Sequence, residues 1–189
     1  MERFAMTTQI HHPVHTINSG ACRRLPATST VRVRRGSVVP VPRPTTPLLA
    51  CTLLRVDWSD AYGIAVPFGA RGRPPEDWAE AIFRGPPPLV RAVFVVRNLL
   101  VRLCGIEPGT RRAFDLVAWS PDEVLLGIDQ RHLAFRASVL VEPDRVVVST
   151  IVEVRNRRGR AYSAVVRRIH PWVVRTMLAR AVHTMAVSS

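Results

Sequence analysis

Residues 115–154 read DLVAWSPDEVLLGIDQRHLAFRASVLVEPDRVVVSTIVEV, and the placement of the turns within them decides the fold. With Pro121-Asp122 as a two-residue turn, Trp119 faces Val124 and Val117 faces Leu126. With Gln130-Arg131 as the next turn, Ile128 faces Leu133, Leu126 faces Phe135 and Val124 faces Ala137. With Pro143-Asp144 as the third, Val141 faces Val146, Val139 faces Val148, Ala137 faces Thr150, Phe135 faces Val152 and Leu133 faces Val154. Strand side chains alternate with a period of two, so these registers put one apolar set on a single face of four antiparallel strands. The opposite face receives Asp129 with His132, and Arg136 beside Glu153. The stretch predicts a β-meander with one apolar face.

Downstream, a helix is expected from about Arg160 to Val187. At about 100° per residue it places Val165, Val166, Ile169, Trp172, Val173 and Met177 on one face, with Arg160, Arg167, Arg168 and Arg175 on the other. Pro171 predicts a kink, because it removes a backbone donor and crowds the preceding turn. Upstream, Leu53 to Val66 reads as extended chain interrupted near Ser59-Asp60, and Gly69 to Pro75 as a loop. Pro74-Pro75-Glu76-Asp77 opens a short helix, with acids in the first turn where the helix dipole favours them. That helix ends at Gly85-Pro86-Pro87-Pro88, and a second runs from about Leu89 to Leu103, ending at Gly105.

The expected class is therefore α+β: an antiparallel meander packed on a long C-terminal helix, with two short helices inserted after the first extended element. Of the 189 residues 47% are hydrophobic, which excludes wholesale disorder. All 27 basic residues are arginine, set against 14 acids for a net charge of +13. With 28 valines and 16 prolines beside them, the arginines carry the imprint of a GC-rich genome as well as any charged partner. Residues 1–47 hold seven of the arginines and one acid, a net of +6, and are broken by prolines. They are expected to form a disordered basic Pro/Arg-rich tail, with residues 48–189 as the folded domain.

No apolar run reaches eighteen residues, since Arg91, Arg97 and Arg102 interrupt the best candidate, Leu89 to Leu103. Arg3 and Arg23-Arg24 lack the apolar segment a secretory signal needs, and so does Leu48-Leu49-Ala50-Cys51 as a lipoprotein box. A cytoplasmic location is expected, with peripheral membrane contact left open. Cys22, Cys51 and Cys104 are too scattered for a disulfide framework or a zinc cluster.

Three stretches resemble a known family: Val56-Asp57-Trp58-Ser59-Asp60-Ala61-Tyr62, then Val96-Arg97-Asn98-Leu99-Leu100-Val101-Arg102-Leu103-Cys104-Gly105, then Val154-Arg155-Asn156-Arg157-Arg158-Gly159-Arg160-Ala161-Tyr162. The last continues to Ile169-His170-Pro171-Trp172 and Met177-Leu178. They are similar to an uncharacterised bacterial domain-of-unknown-function family of the START-like, birch-allergen-like helix-grip superfamily. The resemblance covers roughly residues 50 to 187 and implies a helix-grip fold. It brings no catalytic residues. That family's domain also occurs C-terminal to a short-chain-dehydrogenase-like NAD-binding domain. No strand-linked Gly-x-Gly-x-x-Gly is present here, so neither a redox role nor a cofactor is expected.

His11, His12 and His15 lie in the tail without a framework to hold a metal, and no metal is expected. Asp129 with His132, and Arg136 with Glu153, read as surface ion pairs. The register turns Asp115 toward the apolar side near Ile128, where it would be a polar hook or an acid in a cavity, unless it reaches water at the strand's start. His170 flanks the apolar stripe beside Pro171, where a structural hydrogen bond competes with catalysis. Trp119, Phe135, Val148 and Val152 from the strands, with Ile169, Trp172, Val173 and Met177 from the helix, line either a solid core or a cavity, and the superfamily resemblance favours the cavity.

The leading expectation is non-enzymatic binding or carriage of a small hydrophobic molecule, lipid or polyketide-like, between sheet and helix. Asp115 and His170 would serve it as polar contacts, or serve a cyclase- or dehydratase-type enzyme in the same cavity. A third reading is an anionic-surface or nucleic-acid adaptor through Arg155, Arg157, Arg158, Arg160, Arg167 and Arg168. Nucleic acid is disfavoured, because Tyr162 is the lone aromatic among these arginines.

Overall fold

In the computed structural model, residues 36–91 and 115–187 are described, and the meander is its centre. Strand β1 (Val39–Pro40), helix α1 (Pro47–Ala50) and strand β2 (Trp58–Ala65) come first. A 3-10 turn (Phe68–Ala70) and helix α2 (Pro75–Phe83) follow. Strands β3 (Asp115–Ser120), β4 (Glu123–Asp129), β5 (Leu133–Val141) and β6 (Arg145–Val154) lead to helix α3 (Arg157–Val187). The strands form one six-stranded sheet in the order β1-β2-β6-β5-β4-β3, antiparallel throughout. The fold is α+β, an open antiparallel sheet with a long C-terminal helix, consistent with a helix-grip arrangement.

The turn at Pro143-Asp144 gives the expected register, from Val141 opposite Val146 to Leu133 opposite Val154. The second turn sits one residue further on than expected. Gln130 N–H donates to Leu133 O, so Leu126 faces Ala137 and Ile128 faces Phe135. A one-residue move of the turn shifts the pairing by two, which keeps every side chain on its expected face. The first turn keeps Trp119 opposite Val124, but a bulge follows, and Leu116, not Val117, faces Leu126. Asp115 lies opposite Gly127 and is exposed at the start of β3, which is the water-reaching alternative and not the place on the apolar side.

One face of the sheet buries Val124, Leu126, Val139, Val146 and Val148 beneath α2 and α3. Trp78 and Ile82 of α2, with Val174, Met177, Leu178 and Ala181 of α3, close that core. The expected tail boundary moves: residues 36–47 belong to the fold. Val39 pairs with Gly63 on β2, and Thr46 caps α1 by accepting the Leu49 N–H at 3.2 Å. Leu49 packs with Leu125 and Ile151 against the other face, so part of the face expected to meet solvent is covered. Residues 1–35 lie outside the described residues.

Strand β2 runs through Ser59-Asp60 without the expected interruption, because β6 pairs with it residue for residue. Helix α2 ends as expected, with Gly85 at φ +61 just beyond it. Arg180 of α3 donates to Ala81 O and Arg84 O at 3.1 and 2.6 Å, tying α2 to α3. Residues 88–91 are helical, and the remainder of the helix expected over Leu89–Leu103 lies outside the described residues.

Helix α3 begins earlier than expected because Asn156 caps it. Its Oδ1 accepts the Gly159 N–H at 3.0 Å, while its Nδ2 donates to Arg131 O at 3.2 Å. Gly159 is required here, since a Cβ would lie 2.1 Å from His132 O. The helix continues through Pro171. Its buried face carries Gly159 and Ser163, then Val173, Val174, Met177 and Leu178. The expected stripe is therefore only half right: Val165, Ile169 and Trp172 are exposed.

Candidate functional site

The period of two along β2 puts Trp58, Asp60 and Tyr62 on one side, opposite Val152, Thr150 and Val148 of β6. Tyr62 belongs to the core under α3, which identifies this side as the helix-facing one. From above, α3 delivers His170. Its Nε2 lies 3.0 Å from Thr150 Oγ1 and 3.4 Å from Asp60 Oδ1. Its ring meets Trp58 edge-on, with centroids 5.4 Å apart. The contact with Asp60 is an ion pair only when the imidazole carries a proton on both nitrogens, and the ring's hydrogen bond is shared with the Thr150 hydroxyl.

Trp58 Nε1 and Asp60 Oδ1 are both shielded from water and have no hydrogen-bond partner among the described residues. Leaving such groups unsatisfied costs roughly 1–3 kcal/mol each. Trp78 Nε1, Ser149 Oγ and Arg180 Nε are in the same condition, and what distinguishes Trp58 and Asp60 is that both touch one imidazole. The His170 and Asp60 side chains keep 15% and 21% of their surface, so the cluster is reachable from outside. Below it, Arg175 lies over the Tyr62 ring, 5.3 Å from its centroid. Burial, then the charge of Asp60, pushes the Tyr62 phenol up, with Arg175 pulling the other way. Tyr62 is therefore a neutral phenol at physiological pH.

The arrangement offers one donor at Trp58, one acceptor at Asp60 and an imidazole whose role follows its tautomer. Val148, Val152, Val173 and Met177 surround this interface as buried apolar residues. Of the residues expected to form the site, these four and His170 are placed at the sheet–helix interface. Phe135 is partly buried opposite Val152, whereas Trp119, Ile169 and Trp172 are exposed. Asp115 is not among them. Sequence reasoning missed Trp58, Asp60, Tyr62 and Arg175. The signal was present in the Trp-x-Asp-x-Tyr alternation of residues 58–62, hidden by the break expected at Ser59-Asp60.

Other polar residues are structural. Asp129 accepts from Arg136 at 2.6 Å and from Arg155 at 2.9 Å, so Arg136 is drawn to Asp129 and not placed as a partner of Glu153. His132 meets Tyr162 edge-on. Asp57 accepts the Val154 N–H at 2.6 Å and a two-pronged contact from Arg55, joining the start of β2 to the end of β6. That backbone hydrogen bond, more than the arginine, holds the Asp57 carboxyl below its usual range. On the other face Glu123 is buried, accepting from Ser138 Oγ and, at 3.0 Å, from Thr46 Oγ1. No group of three or more metal-ligating side chains occurs among the described residues.

An open sheet under a long C-terminal helix, with a polar cluster where they meet, defines an α+β domain of helix-grip type. The chain belongs to the family described as protein of unknown function (DUF2867), which matches residues 52–177. Trp58, Asp60, Thr150 and His170 all fall inside that span. Neither the curated proteins nor the solved structures include a match to the chain. No helix among the described residues is long and apolar enough to cross a membrane.

Proposed function

We propose that this domain binds a small, largely apolar molecule at the sheet–helix interface and holds a polar end of it at Trp58, Asp60 and His170. The observation that carries the reading is the pair of shielded atoms without a hydrogen bond, Trp58 Nε1 and Asp60 Oδ1, on the helix-facing side of β2 beside His170. A ligand group with an acceptor beside a donor, such as an amide or a hydroxy-ketone, satisfies both. A carboxylate does not, because Asp60 repels it. The resemblance to the START-like superfamily supports carriage in such an interface, in the cytoplasm of a bacterium. Native mass spectrometry of the intact chain, purified without denaturation, tests this reading: a bound small molecule is expected, and it is lost in Asp60→Asn. An unliganded mass throughout contradicts the reading.

A second reading is favoured by the 3.4 Å contact between His170 Nε2 and Asp60 Oδ1. A carboxylate beside an imidazole can share the work of moving a proton on the bound molecule, as a cyclase or dehydratase requires. His170→Gln separates the two readings once the ligand is in hand. Binding that survives while chemical conversion stops supports proton transfer, and absence of any conversion in the wild type removes it.

A further inference from the structure

We propose that the outer face of α3 docks on an anionic lipid surface. The helix has 31 residues, of which Arg157, Arg158, Arg160, Arg167, Arg168, Arg175 and Arg180 are basic, and it contains no Asp or Glu. Arg180 is bound to α2 and Arg175 lies over Tyr62, which leaves Arg157, Arg158, Arg160, Arg167 and Arg168 along the N-terminal half of the helix. A surface that only has to be solvated mixes both signs of charge, so this one-signed stretch calls for a negative partner. The second observation is apolar. Val165, Ile169 and Trp172 keep 50%, 36% and 41% of their surface. Their spacing of four and three residues makes them a continuous strip, turned away from the buried Val174, Met177 and Leu178.

At about 100° per residue, Arg157 and Arg168 lie along one edge of that strip and Arg158 continues its line, while the Arg175 guanidinium is turned to the Tyr62 ring. An apolar strip edged by arginines is the surface that lies in the headgroup boundary, with tryptophan and isoleucine entering the acyl region and guanidinium groups meeting phosphates. Nucleic acid would satisfy the charge but leave Val165, Ile169 and Trp172 in water. The strip therefore selects the membrane, and Trp172 is the residue expected to enter it. This surface stands independently of the ligand reading, although a carrier of apolar molecules gains from it a place to load.

Flotation of the full chain with vesicles tests the proposal, using phosphatidylcholine alone and phosphatidylcholine mixed with phosphatidylglycerol. The wild type is expected to float with the anionic vesicles at low salt, with tryptophan emission shifted to the blue, and to remain behind with the neutral ones. Each arginine near such a surface contributes roughly fivefold to partitioning, so Arg157→Gln/Arg168→Gln should lose roughly 25-fold. Ile169→Ser/Trp172→Ser, at exposed positions that leave the core intact, should lose at least about tenfold through the lost apolar burial. Equal binding to neutral vesicles, or none to anionic ones, overturns the proposal. So does binding unchanged in both double variants, which would assign it to residues 1–35. Binding to a duplex oligonucleotide that exceeds vesicle binding and ignores the Ile169/Trp172 change assigns the face to nucleic acid and overturns it too.

Discussion

Asp60 and Glu123 are two carboxylates placed on opposite faces of the same sheet, and they serve opposite ends. Asp60 Oδ1 is shielded without a hydrogen bond, so Asp60→Asn is expected to leave the fold intact while ligand retention falls at least about tenfold, the scale of one charged hydrogen bond. Retained ligand in that variant would separate Asp60 from recognition. Glu123 is 2% exposed, and burial pushes its carboxyl above the usual range, the hydroxyls of Ser138 and Thr46 recovering part of the shift. A carboxyl raised in the folded state favours folding when protonated. Its contribution is complete below the ordinary value of 4.5 and lost as pH rises through the folded value. Glu123→Gln keeps an acceptor without the charge, so at neutral pH it should raise the urea midpoint, corresponding to an unfolding free energy higher by on the order of 1 kcal/mol, with the gain vanishing in acid. A lower midpoint at neutral pH would show the ionised carboxylate to be stabilising. Residue identity made His170 legible in the sequence, because a histidine beside a helix proline needs a partner. The hydrogen-bond partner Thr150 and the neighbouring Asp60 were not legible, since Ser-Asp reads locally as a turn and only the pairing with Ile151 and Thr150 makes it strand.

Among the elements, the strands were more legible than the helix faces. Alternation places each side chain on a face whatever the exact turn, which is why a one-residue error at Gln130-Arg131 left the apolar face intact. The bulge between Leu116 and Ala118 has no comparable signature, and it shifts Asp115 opposite Gly127 at the start of an edge strand where Leu116 and Val117 are exposed as well. In α3 the periodicity of Val165, Ile169 and Trp172 is genuine, but a periodic apolar stripe does not say which part of it the sheet reaches. Gly159 marks where the first turn of α3 crosses His132, and it yields a prediction opposite to helix propensity. Alanine in a helix interior is ordinarily better than glycine by about 1 kcal/mol. Here the added Cβ meets a backbone oxygen at 2.1 Å, and Gly159→Ala should destabilise by about 1–3 kcal/mol in a urea melt. A stabilised variant would mean the β4–β5 turn yields without cost.

At the scale of the whole molecule, the sheet is covered on both sides by different means. Helices α2 and α3 bury the core face, while the segment from Thr46 to Leu53 crosses the other, held by the Thr46–Glu123 hydrogen bond and by Leu49. The cluster at Trp58, Asp60 and His170 meets Thr150 and lies near the buried Val148 and Val152, and the exposed arginines lie along the N-terminal half of α3. The proposed reading puts recognition at the interface and docking on the outer surface. The central claim, that a small molecule occupies the interface, is tested most directly by native mass spectrometry of the intact wild-type chain beside Trp58→Phe and Asp60→Asn. The wild-type mass is expected to be raised by one small molecule that is absent from both variants. A wild-type mass without any addition, or an addition that both variants keep, would contradict it.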